Sequence, residues 1–171
     1  MSDTIENDSM GPTKPVGEHK FLERFLGNWR GESTMFMGPD KPAEKAEVIE
    51  SVTTLGGLFA HIQGETTMPG GFKMVYYSAL GYDLTFQEYR GVWYSDVSSH
   101  IWTYRCEMSD DGNTLTCVCE GPNMNPEIDS LTATYRDVHH FESDTVRTMT
   151  SAGLQPDGTW LDFQNVTYTK T

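Results

Sequence analysis

The sequence predicts an all-β protein, an antiparallel up-and-down barrel of about ten strands preceded by one short helix. From residue 28 onward, stretches rich in Val, Ile, Thr, Tyr, Phe and Trp recur at roughly ten-residue intervals between clusters of Gly, Pro, Asp and Asn. Such short connections make consecutive strands neighbours. An open meander of this length would expose two unpaired edges, and closure into a barrel removes both. A barrel with more than eight strands also has an interior wider than its own side chains fill, which leaves room for a ligand.

Residues 1–17 hold Gly, Pro, Ser, Thr and acids with little that is apolar, which predicts a disordered tail. Phe21, Leu22, Phe25 and Leu26 then fall on one stripe of a short helix over 18–26, which Gly27-Asn28 stops. Strands are expected at 28–37, 45–54, 58–66, 72–80, 87–95, 100–108, 114–120, 130–138, 145–151 and 159–169. The segment AEKAEVIE at 43–50 is helical by local propensity. Val48, Ile49 and Val52, followed by Thr53, Thr54 and Gly56-Gly57, suit a strand better. No repeat or low-complexity run divides residues 18–171, so they are read as one barrel domain.

The chain of 171 residues carries 25 Asp and Glu against 12 Lys and Arg, a net charge of −13. Nucleic acid and anionic membranes both select cationic surfaces, so neither is an expected partner. No apolar run is long enough to span a bilayer and no signal-peptide pattern opens the chain, which makes the cytoplasm the expected compartment. Three cysteines are too few and too oddly numbered for a disulfide scaffold, so reduced thiols are expected. A homodimer is left open.

Asp111-Gly112, flanked by alternating strands, favours a two-residue primed turn. That turn sets Met108 opposite Leu115, Cys106 opposite Cys117 and Tyr104 opposite Cys119, on one face with Trp102. Counting back across the next turn places Trp93 beside Trp102, with Gly91 and Tyr89 following it inward. One strand earlier, Met74 and Tyr76 lie on the more apolar face. A one-residue error in that turn would exchange Tyr76 for Tyr77. The inner wall so assembled suits an aromatic or polyene-like molecule, because Tyr and Trp combine contact area with a hydrogen-bonding tip. Plain core packing is the competing explanation of the same residues.

The sequence lacks G-x-S-x-G, H-E-x-x-H, a P-loop and a dinucleotide fingerprint. Of the five histidines, His139 and His140 are expected in a solvated turn, and His61 is a candidate lumen acid or base. Arg105 is expected to pair on the outer face with Glu107 and Glu120. Arg147, if directed inward with Met149, would hold a ligand carboxylate by two parallel bonds.

Leu26-Gly27-Asn28-Trp29-Arg30-Gly31 after a short helix resembles the opening of calycin barrels, the superfamily of lipocalins, fatty-acid-binding proteins and nitrobindins. Gly81-Tyr82-Asp83, Tyr89-Arg90-Gly91-Val92-Trp93, Asp96, the turn at 110–112 and Gly121-Pro122 resemble a bacterial family of unknown function with a lipocalin-like fold. The resemblance implies that Trp29 closes one barrel end beneath a base, for which Lys170 is the candidate. It also implies a position at Cys106 where relatives carry Gly. A nitrobindin-like barrel would bind haem through a late-strand histidine, yet 159–169 contains none. The function expected is binding of a small hydrophobic or aromatic ligand in the lumen, without a cofactor. Met35, His61, Met74, Tyr76, Trp93, Trp102, Tyr104, Arg147 and Met149 are the candidate contacts. The alternatives are an isomerase, cyclase or lyase using the same cavity, and haem binding.

Overall fold

The computed structural model describes residues 11–125 and 129–171. A 3₁₀ turn (Gly17–His19) and helix α1 (Lys20–Glu23) lead into ten strands. These are β1 (Gly27–Met35), β2 (Glu44–Leu55), β3 (Phe59–Thr67), β4 (Lys73–Asp83), β5 (Glu88–Ser95), β6 (Ser98–Met108), β7 (Thr114–Pro122), β8 (Thr132–Phe141), β9 (Val146–Leu154) and β10 (Trp160–Lys170). Each strand pairs with its sequence neighbours, and β1 pairs with β10 to close the barrel. Strands β4, β8 and β9 run three residues beyond their expected ends, to Asp83, Phe141 and Leu154. Of the expected tail, residues 1–10 lie outside the described residues, and 11–16 run exposed and without regular structure into the 3₁₀ turn. No described helix is long and apolar enough to cross a membrane.

Local propensity loses to pairing in β2. Its helix-favouring residues gain backbone partners on both sides, with β1 and with β3. Val48, Glu50 and Val52 then alternate inward and buried while Ile49 points out. The helical segment is shorter than the apolar stripe suggests. It consists of one 3₁₀ turn and a single α-turn, and Gly27, at φ 113°, ends it by turning the chain into β1.

This segment plugs one end of the barrel. Phe25 is fully buried, packing edge-on against Phe141 at 4.9 Å and His139 at 5.6 Å, while Phe21 meets Tyr89 at 6.0 Å. The Trp29 indole N–H donates to the Phe25 carbonyl at 2.7 Å, fixing the turn between plug and wall. Arg24 reaches Asn113 Oδ1 at 3.0 Å and lies 4.5 Å over the Phe141 ring, pinning the plug to two hairpins. Lys170 Nζ sits 5.0 Å from the Trp29 ring.

The β6–β7 pairing has the expected register, with Met108 opposite Leu115 and Cys106 opposite Cys117. Its turn is built differently. A two-residue type I′ turn needs positive φ at both Asp111 and Gly112, and here Gly112 alone has it, at 69°. The connection is a four-residue loop closed by Ser109 and Thr114, in which Gly112 N–H donates to the Ser109 carbonyl. Lengthening a loop by two residues keeps the same faces together, so the register survives. Arg105 is exposed as expected, but its partner is Glu88 on β5, at 2.8 Å.

Cys106 and Cys117 form a disulfide, which corrects the expectation of three reduced thiols. That expectation came from the number of cysteines and the expected compartment. Register puts these Cα atoms 4.0 Å apart on adjacent strands, directly facing, whereas Cys119 remains a buried free thiol. Protein denatured without reductant should therefore titrate one thiol per chain, and three after reduction, in a dithionitrobenzoate assay. Phe25→Ala should lower stability by about 3–5 kcal/mol in urea unfolding, since it empties the centre of the plug.

Candidate ligand cavity

Above the plug the barrel encloses a cavity of about 420 Å³. Met35, Met68, Val97 and Met124 lie toward its mouth, and Glu50, His139 and Tyr168 form its floor. Between them stand Met74, Tyr76, Trp93, Trp102, Tyr104, Tyr135 and Met149. Tyr76 stacks on Trp93 at 5.7 Å, and Trp102 meets Tyr135 edge-on at 5.2 Å. A second hollow, beside Glu88, Arg105 and Glu107, lies at the wall, where Glu88 already neutralises Arg105.

The lumen stays open because its largest rings lie in slots made by glycine. A Cβ at Gly64 would overlap the Tyr76 ring, and one at Gly121 would overlap the Trp102 ring. With hydrogen in place of a side chain, each ring lies along the wall instead of crossing the cavity.

Two polar clusters, each built on a carboxylate, lie in the interior. On the floor, Arg147 from β9 donates to Glu50 Oε2, while Tyr76 and Tyr168 donate to Oε1 at 2.5 and 3.0 Å. The guanidinium also lies 3.8 Å over the Tyr168 ring and 4.9 Å from the Trp29 ring. Burial pushes both tyrosine hydroxyls above the ordinary phenol range, and the Glu50 charge adds to the effect. Both stay protonated and remain donors.

Higher on the wall, Asp137 Oδ2 accepts from Tyr104 at 2.8 Å and Oδ1 accepts from Ser151 at 2.6 Å. Burial raises the Asp137 pKa, with both hydrogen bonds opposing it. Burial, followed by the Asp137 charge, pushes the Cys119 thiol up to about 12, which leaves it a thiol and a poor nucleophile. His139 is forced down to about 3, first by burial and then by the Arg147 charge, so its imidazole is neutral.

Met35, Met74, Tyr76, Trp93, Trp102, Tyr104 and Met149 are all placed on the cavity wall. His61 is not. It alternates with Ala60 and Ile62, whose side chains are buried, and so projects from the outer face, where it stacks on Tyr77 at 6.3 Å. The acid–base role sketched for it has no access to the lumen. Arg147 does point inward, but it is spent on Glu50 beneath the cavity and offers no fork to a ligand carboxylate. His139 moves the other way, from an expected solvated turn to the lumen floor, because β8 continues to Phe141.

Sequence reasoning missed Glu50, Asp137, Tyr135 and Tyr168. The signal for Glu50 was present, since it shares the inward period with Val48 and Val52. Asp137 likewise shares its period with Tyr135 and His139.

These features define a hollow ten-stranded antiparallel barrel with one plugged end and an aromatic lumen. The chain belongs to the DUF1579 family of proteins of unknown function, whose model matches residues 14–170. Among solved structures it is similar to Rv2717c from M. tuberculosis, with TM-score 0.62 and 10% identity over 91% of this chain and 98% of that one. It is also similar to the S-type phycobiliprotein lyase CPES from Guillardia theta, with TM-score 0.55 and 15% identity over 92% and 98% of the two chains. No curated protein sequence matches the chain.

Glu50→Ala would strand the Arg147 guanidinium in the interior and should cost about 3–5 kcal/mol in urea unfolding. Adding Arg147→Met should recover most of that loss, because the second change removes the unpaired charge.

Proposed function

We propose that this barrel binds a small hydrophobic or aromatic molecule in its lumen. The observation that supports the reading best is the cavity itself. Its volume of about 420 Å³ falls in the roughly 300–1,000 Å³ range of small-molecule sites. Its wall carries seven aromatic rings and five methionines, and its two carboxylates, Glu50 and Asp137, each gather phenol hydroxyls around them. Rings with polar tips supply contact area at low entropic cost, and methionines adapt to the shape that remains. The likeness to the two solved barrels rests on fold and does not choose a ligand.

Tryptophan emission tests the reading, because two of the four indoles face the cavity and two do not. Trp93 and Trp102 line it, whereas Trp29 is sealed against the plug and Trp160 lies under Arg136, 4.3 Å away. Titration with retinoid-like and flavonoid-like probes should quench emission saturably. Combined Trp93→Phe and Trp102→Phe substitution should abolish most of that response. Quenching that persists in the double variant would move binding outside the lumen, and no response to any probe class would overturn the proposal.

A further inference from the structure

Resting on the lumen reading above, we propose that the molecule held there is an apolar amine or amidine, its cationic nitrogen set against Asp137. Both carboxylates line the lumen, Glu50 buried and Asp137 half-buried, and they differ in what faces them. Glu50 has its countercharge. Two phenols and a guanidinium donate to its oxygens, and the guanidinium cancels its charge. Asp137 has two hydroxyl partners, Tyr104 and Ser151, one on each oxygen. A carboxylate can accept about four hydrogen bonds, so half of that capacity is open. No cation faces it.

The groups around Asp137 come from every strand packed beside it. Tyr104 stands on β6, Cys117 and Cys119 on β7, His139 on β8 itself and Ser151 on β9. None is positively charged at neutral pH, since the histidine is held neutral and Cys117 is in the disulfide. The residues lining the cavity include neither Lys nor Arg. A ligand cation is therefore the missing countercharge.

Two further observations point the same way. His139, the next inward residue along β8 from Asp137, has a buried Nδ1 with no hydrogen-bond partner and lines the same cavity. The wall around them presents the rings of Tyr76, Trp93, Trp102 and Tyr135, whose negative faces attract cations and give nothing to anions. A carboxylate ligand would meet Asp137 as a like charge and would have to pull Arg147 from Glu50 to find a partner. The chain's net charge of −13 biases encounter toward cations as well.

The test uses three probes of one size and shape: 2-naphthylmethylamine, 2-naphthalenemethanol and 2-naphthoic acid, titrated calorimetrically into the full chain at pH 7.5. The amine should bind about ten- to a hundredfold more tightly than the alcohol, the increment of a hydrogen bond to a charged group, and the acid most weakly. Asp137→Asn should bring the amine down to the alcohol. Should that variant not fold, the ranking of the three probes on the unaltered chain decides. If the alcohol or the acid binds best, or if the amine keeps its advantage in Asp137→Asn, the cation assignment is wrong while the lumen reading stands. If none of the three binds, the lumen reading itself falls.

Discussion

A guanidinium in the interior of a β-barrel must meet a carboxylate, and the pairing of Arg147 with Glu50 is the point on which this structure turns. Desolvating the two ions separately would cost several kcal/mol each, so neither side chain is tolerable without the other. The pair also joins the parts of the molecule. Arg147 lies against Phe25 of the plug, Trp29 of β1 and Tyr168 of β10, and reaches across to Glu50 of β2. Plug, closing seam and cavity floor therefore share one polar junction.

That junction also decides what the lumen can recognise. By consuming Arg147, the one buried arginine among the described residues, Glu50 removes the group that would hold a fatty-acid carboxylate. Higher on the wall stands a second inward carboxyl, Asp137, among phenols, indoles, one thiol and a disulfide. Glycines at 64 and 121 keep the neighbouring rings against the wall, so that this carboxyl borders an open volume. Floor chemistry and wall shape thus act together: one neutralises a cation, the other leaves space above it.

Much of the architecture was legible in the residues. Strand positions followed from the period of two and from turn chemistry, and the β6–β7 register followed from Asp111-Gly112 even though the loop is longer than a primed turn. Trp93, Trp102 and Tyr104 were placed correctly because that register propagated through short connections. His61 was misplaced for lack of such an anchor. No turn fixed the face of that strand, and the buried set proved to be Ala60 and Ile62. His139 was misplaced because the end of β8 carries no Gly or Pro to mark it, and the strand ran three residues further than expected.

The sequence by itself determined the alternation of faces, the count of strands, their order and the plug's apolar stripe, because these depend on residues close together in the chain. Only the tertiary structure decided which inward groups meet across the barrel. Glu50 and Arg147 are separated by 97 positions, Tyr168 and Glu50 by 118, and Tyr104 and Asp137 by 33. A period of two assigns a side chain to the interior but says nothing of its position around the circumference. That is set by closure of β1 on β10 and by the stagger accumulated over ten registers, which no local pattern encodes.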